Sequence, residues 1–201
     1  MLTPVFRGSE PTYAESGVHA GTRAFEAEEQ LGLELARSLT AEQRHTAVLF
    51  DSILSTDLPR ERWHPTEGRI QGRALRDNLV LPYEGLAGAR LSSEQRERLL
   101  ELIDVYVGRM RPGHSQIKLD EVRQHLAETH FMWLGGLEDD SVFYYRIHSP
   151  VVLIEFDHLR GIALDNDEPA RTHIHTVMRT PNGNDYGRDL LRQHYAHAHV
   201  H

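Results

Sequence analysis

Ser141-Val142-Phe143-Tyr144-Tyr145-Arg146-Ile147-His148, interrupted at Pro150 and resumed as Val151-Val152-Leu153-Ile154-Glu155-Phe156, is where the chain changes character. Both runs are rich in aromatic and β-branched residues, which predicts two strands with a break or bulge at the proline. Phe131-Met132-Trp133-Leu134 leads into them through Gly135-Gly136 and the acidic turn Glu138-Asp139-Asp140. A third strand is expected over His173 to Met178. The turn Pro181-Asn182-Gly183-Asn184 and a closing helix from about Arg188 to Tyr195 follow it.

Upstream of Phe131 the apolar period is helical. Phe25, Leu31, Leu35 and Leu39 fall on one stripe around the segment Thr22 to Ser38. Thr40-Ala41-Glu42-Gln43 has the form of a capping box, so a helix carrying Val48, Leu49 and Ile53 is expected after it. Thr56 to Arg69 holds two prolines and Gly68 and reads as a loop, and Asn78-Leu79-Val80-Leu81 is a short apolar run stopped at Pro82. Ser92-Ser93-Glu94-Gln95 repeats the capping chemistry. Leu99, Leu102, Ile103, Tyr106 and Met110 then keep the helical period until Pro112-Gly113. A shorter helix is expected from about Leu119 to Ala127.

Helices first and strands after predict an α+β fold: a helical N-terminal half packed on an antiparallel sheet formed mainly by the C-terminal half. Residues 1–201 suit one domain with a core large enough to need no staples. Three clear strands are few for such a sheet.

The formal net charge of −8 argues against a phosphate-backbone partner, which needs clustered Lys and Arg, so nucleic acid is not expected. The absence of cysteine excludes disulfides, thiolate metal sites and cysteine nucleophiles. No apolar run approaches the roughly 20 residues of a membrane helix, and the N-terminus has no basic region followed by an apolar one. As written, the sequence predicts a soluble, cytoplasmic protein without a membrane partner. It contains no GxSxG, no P-loop, no GxGxxG after a strand and no HExxH.

What remains is histidine. Of the chain's 14 histidines, two stand at the centre of Arg171-Thr172-His173-Ile174-His175-Thr176-Val177-Met178-Arg179. A His-x-His pair on a strand puts both imidazoles on one face, a common beginning of a transition-metal site. With no cysteine, a divalent Zn, Fe, Mn, Ni or Cu ion would be held by His173, His175 and, by sequence the best-placed third ligand, His148. Glu155, His158 and His130 stand in reserve. A cupin would have a carboxylate a few residues after the pair and a glycine before it; here Arg179 takes the first place and the glycine is missing.

Glu155, at the end of an apolar run, would act as general base or fourth ligand, and Arg179 or Arg146 would bind an anionic group. Asp185 and Tyr186, in the turn-rich Asn182–Gly187 stretch, would contact the substrate. The resulting expectation is a metal-dependent hydrolase or oxidoreductase acting on a small polar or anionic molecule. The alternative is a non-catalytic ligand-binding or interaction domain in which the His, Glu and Arg residues form a structural polar network. Under that plainer reading Glu155 is ion-paired with Arg146, Arg171 or Arg179, and Asp157 and His158 cap their strand. Leu164-Asp165-Asn166-Asp167-Glu168-Pro169 lacks the glycine of a calcium loop and reads as a solvated turn. The tail from His194 to His201 is expected to hold metal only weakly.

Several motifs resemble one family in combination. They are Phe6-x-Gly8-x-Glu10-Pro11, Gly21-Thr22-Arg23 with Glu28-Glu29-Gln30-Leu31-Gly32, and Arg76-Asp77-Asn78-Leu79-Val80-Leu81-Pro82-Tyr83-Glu84-Gly85. Further along come Glu128-Thr129-His130-Phe131-x-Trp133, Phe143 to Pro150, Ile154 to His158, and His173-Ile174-His175 with Arg179 through Gly187. Together they resemble the uncharacterised domain family DUF3500 over essentially the whole chain. The resemblance implies no activity. It implies longer relatives with a strand-rich region before Thr3-Pro4-Val5-Phe6, so this chain reads as a C-terminal portion of such a domain. Any export signal would then lie in the preceding segment.

Overall fold

A computed structural model of the protein describes residues 4–164 and 166–198, without the side chains of Asp189 and Ala198. Asp165 of the expected solvated turn and His199 and His201 of the tail lie outside the described residues. Over the described residues the fold is α+β, a mixed seven-stranded sheet with five helices.

Strands β4 (His130–Gly135), β5 (Phe143–His148), β6 (Leu153–Arg160) and β7 (Pro169–Arg179) form an antiparallel meander, and each coincides with an aromatic or β-branched run. Of the strands not among the three expected, β4 lies inside the sheet and the others at its two edges. β1 (Val5–Ser9) pairs antiparallel with β7, Phe6 opposite Val177 and Gly8 opposite His175. β2 (Val48–Phe50) runs parallel to β4, and the two-residue β3 (Leu86–Ala87) pairs with β4 at His130 and Phe131. The expected helix through Ile53 is thereby corrected. α2 (Ala41–Ala47) stops at Val48, and the apolar triplet Val48-Leu49-Phe50 is drawn into the sheet instead. The sheet is accordingly mixed and not wholly antiparallel.

Both capping boxes form. The Thr40 hydroxyl accepts from Gln43 N–H and the Ser92 hydroxyl from Gln95 N–H, and each glutamine side chain accepts from its cap residue's N–H in return. The two glutamine side chains also hydrogen-bond each other at 2.9 Å, joining α2 to α3 (Ser93–Val107). α1 (Glu26–Ser38) and α3 lie side by side. Leu35 from the first and Leu99, Leu102 and Ile103 from the second are fully buried against Phe131, Trp133, Tyr145, Ile154 and Phe156. Each such side chain contributes about 1.5–3 kcal/mol, so Leu102→Ala alone would cost about 2–5 kcal/mol. α4 (His114–Gln124) closes this layer, and α5 (Arg188–Ala198) follows β7.

Because side chains alternate across a strand, the other face carries Met132, Leu134, Tyr144, Arg146, His148, Glu155, Asp157, His173, His175, Val177 and Arg179. No helix covers it. Residues 51–85, irregular apart from a 3-10 turn at Arg60–Arg62, lie across it and pack Ile53, Leu58 and Ile70 on Met132, Leu134, Tyr144 and Val177. The sheet thus has a helical side that is apolar and a loop side that is strongly charged.

Candidate functional site

Buried charges on the loop side are each matched by a donor or acceptor from the covering segment. Glu155 is fully buried; its carboxylate accepts from Gln71 N–H at 2.8 Å, Gly72 N–H at 2.6 Å and the Tyr144 hydroxyl at 2.5 Å. A Cβ on Gly72 would stand 2.9 Å from the Glu155 Oε2 and 3.1 Å from Arg179 Cδ, so only glycine fits that close approach. Asp157, equally buried, accepts from Arg69 Nε and from Arg69 N–H, both at 2.7 Å. Burial still pushes its carboxyl up to about 6 against the pull of that guanidinium. Arg146 donates to Glu84, which Arg62 also contacts. Arg179 is clamped on Asp185 and donates to the carbonyls of Gly72 and Arg76. Asp185 in turn accepts from Asn78 N–H at 2.7 Å.

These contacts revise the expectations for several residues. Among the described residues Glu155 has no guanidinium hydrogen-bonded to it; backbone N–H groups and a phenol hold it, and it anchors the loop. Asp157 is half of a buried ion pair and not a strand cap. His158 points to the helical side, accepting from Phe143 N–H at Nδ1 (3.0 Å) and meeting Glu29 through Nε2 (2.9 Å). Glu29 also holds Arg171; burial raises its carboxyl pKa, and the hydrogen bonds from His158 and Arg171 outweigh that and bring it down to about 2.

The three expected metal ligands do not converge. His148, His173 and His175 share a face, as the period requires, but pairing register separates them. His148 lies opposite Leu153, and Leu153 opposite Arg179, so His148 stands two strands over and four residues along from His175. Strand geometry makes that a separation on the order of 15 Å. His148 is 1% exposed and stacks on Tyr83 at 4.3 Å between ring centroids. Neither of its ring nitrogens makes a hydrogen bond of good geometry among the described residues, although the Pro82 carbonyl and the Asn182 side chain lie near enough to favour the protonated ring. Burial and the nearby Arg146 hold its pKa down to about 4. Among the described residues no three His, Asp or Glu side chains are grouped to hold a metal ion.

The His-x-His pair itself is built with care. Its imidazoles meet edge to face, with Nε2 of His173 3.0 Å from Nε2 of His175. His173 Nδ1 lies 2.7 Å from the Arg160 carbonyl oxygen and 3.6 Å from the Glu10 carboxylate. Glu10 accepts from the N–H groups of Ile162, Ala163 and Leu164. Phe6 packs its ring edge to face with His175 at 4.8 Å, and a Cβ on Gly8 would stand 2.7 Å from the His175 ring. The motif Phe6-x-Gly8-x-Glu10 is therefore the wall and support of the histidine pair.

His175 also borders a cavity of about 420 Å³ between β1, β7 and the covering segment. Its lining brings together Arg179 and Tyr186 from the expected site, apolar Phe6 and Val177, and one residue that sequence reasoning missed, Arg73. Among the described residues Arg73 makes a single hydrogen bond, to the Ile70 carbonyl at 3.3 Å, and no close ion pair. Desolvation and the neighbouring Arg76 lower its pKa, against the longer-range pull of Glu155 and Glu67. Glu67 and Asp77 stand on the same lining. Arg73 was hard to find in the sequence because it lies in a segment with no period, among other arginines.

A model of the family described as "Protein of unknown function (DUF3500)" matches residues 1–188. No curated protein and no solved structure matches the chain.

Proposed function

Since the chain belongs to the DUF3500 family, whose description carries no activity, we propose from its own residues that it binds a small carboxylic acid with an apolar body. The site is the cavity between β1, β7 and residues 67–77. This is the binding-domain alternative: Glu155, Arg146 and Arg179 serve the polar network that fixes the covering segment, and a remaining cation serves a ligand.

The observation that carries the reading is Arg73. A guanidinium has five N–H donors, and here, among the described residues, one carbonyl and no carboxylate hydrogen-bonds to them, Glu155 and Glu67 acting on it only at longer range. A planar carboxylate is its natural bidentate partner. Phe6, Val177 and Leu75 offer the ligand's apolar part a surface, and a cavity of about 420 Å³ admits an aromatic acid.

Calorimetric titration with 3-phenylpropionate tests the reading. Binding to the unaltered protein, weakened at least tenfold in Arg73→Gln, is the expected result. Arg73 is half-buried and unpaired, so that variant should fold normally, as circular dichroism would verify. No binding to the unaltered protein, or equal binding by the variant, would overturn the assignment.

A further inference from the structure

Arg73 is not the cavity's only half-buried charge without a partner, and a second one of opposite sign extends the acid-binding reading above, on which this inference rests. Glu67 lies half-buried on the same lining, and its carboxylate makes no hydrogen bond and no ion pair among the described residues. Strand register places the two groups. Gly68 lies against the Asp157 carboxylate; Asp157 is paired with His175, and His175 with Gly8. The Gly72 N–H donates to Glu155; Glu155 is paired with Val177, and Val177 with Phe6. Residues 68 to 72 therefore pass from the level of Gly8 to that of Phe6, an advance of roughly 7 Å. Glu67 precedes this stretch and Arg73 follows it. The Arg73 guanidinium turns back as far as the Ile70 carbonyl and still does not meet Glu67, which acts on it only at longer range. Opposite charges thus border one cavity with a gap between them. Two bulky residues on the rim also hold left-handed backbone, Leu75 at φ 62° and 99% exposed, Tyr186 at φ 59° and 58% exposed. Such residues are uncommon at positive φ and collect at binding sites.

We propose that the cavity binds zwitterions, the carboxylate seated on Arg73, an ammonium group on Glu67 and an apolar side chain against Phe6 and Leu75. The apolar lining supports that polarity. Phe6 is level with Gly72, and Leu75 follows Arg73 in the chain, so the apolar surface lies at the carboxylate end. Asp77, another carboxylate on the lining, is exposed, which leaves Glu67 as the half-buried anion that a ligand cation would neutralise. Free amino acids with an apolar side chain and dipeptides with an apolar C-terminal residue share this chemistry. They differ in the distance from nitrogen to carboxyl carbon, about 2.5 Å in the first and about 6 Å in an extended dipeptide.

Four probes with the same apolar body separate the outcomes: 3-phenylpropionate, N-acetylphenylalanine, phenylalanine and alanylphenylalanine, titrated by calorimetry into the full chain at pH 7. The expected result is roughly tenfold tighter binding of phenylalanine or alanylphenylalanine than of 3-phenylpropionate, with no such gain for the acetylated probe. That gain should vanish in Glu67→Gln while 3-phenylpropionate binding persists. Phenylalanine ahead would identify a free amino acid as the ligand, and alanylphenylalanine ahead a dipeptide. Equal binding of all four, or a gain that survives in Glu67→Gln, overturns this inference and leaves the acid-binding reading standing. Failure of all four to bind removes both. A further measurement needs no ligand. Glu67→Gln should unfold at the same urea concentration as the unaltered protein, because its carboxylate has no partner to lose; a lowered midpoint would make Glu67 a structural group and overturn the assignment.

Discussion

Replacing His148 by phenylalanine should leave the protein as stable at pH 7 and make it more resistant to acid. The imidazole is buried, stacked on Tyr83, and neither nitrogen has a hydrogen-bond partner of good geometry among the described residues. The Pro82 carbonyl and the Asn182 side chain face those nitrogens but have other partners, Arg146 and the Tyr83 hydroxyl, so removing the nitrogens strands neither and keeps an aromatic face for the tyrosine. The pH effect follows from the folded pKa of about 4, below the roughly 6.5 of an unfolded histidine. As pH falls, the unfolded chain takes the proton first. Stability is therefore intact above about pH 6.5 and is lost as pH drops toward 4. For this one group the loss at pH 5 is at most about 2 kcal/mol. His175 titrates in the same window and Asp157 in the opposite sense, but both remain in the variant, so the difference between the two proteins isolates His148. Urea unfolding at pH 7 and pH 5 gives the four free energies required. His148→Leu serves as a second variant in case the larger ring of phenylalanine is cramped. The reasoning is refuted if both variants lose as much stability between pH 7 and 5 as the unaltered protein, or if both are more than about 1 kcal/mol weaker at pH 7.

Two further substitutions address the supports of the site. Asp157→Ala should cost about 3–5 kcal/mol in urea unfolding because it strands the buried Arg69, and pairing Asp157→Leu with Arg69→Met should recover most of that; a single variant as stable as the parent would contradict the ion-pair account. Gly8→Ala should cost about 1–3 kcal/mol, since the new Cβ would stand 2.7 Å from a His175 ring already packed against Phe6 and His173, and an unchanged unfolding midpoint would show that the ring can yield.

The parts of the fold legible in the sequence are those with their own period or end signal. Residues at 99, 102, 103 and 106 repeat on one helical face, and Ser92 and Gln95 mark where that helix starts. Phe143 to His148 and Leu153 to Phe156 show strand composition outright. β1, β2 and β3 have five, three and two residues, too few to display a period, and they become strands because a neighbouring edge accepts them. The same division holds at the site. Parity told that His148, His173 and His175 share a face, while register, which pairs His148 with Leu153 and places it level with Arg179, depends on loop lengths that parity does not contain. Partners such as Arg69, Gly72 and Glu84 come from an aperiodic segment, so nothing local announced which charge on the sheet each would meet.

The covering segment's attachment has a consequence for how it can vary. The helical side is held by contact area, which tolerates a sliding or repacked neighbour so long as volume is kept. Residues 51–85 are instead addressed point by point: Arg69 to Asp157, Gln71 and Gly72 to Glu155, Arg76 to Arg179, Asn78 to Asp185, and Glu84 to Arg146. A one-residue insertion inside 69–84 would misdeliver the contacts on one side of it at once, whereas one in the exposed stretch around Ser55–Asp57 would leave the lock and its key unchanged. The irregular half of this protein is thus the one with the stricter numbering.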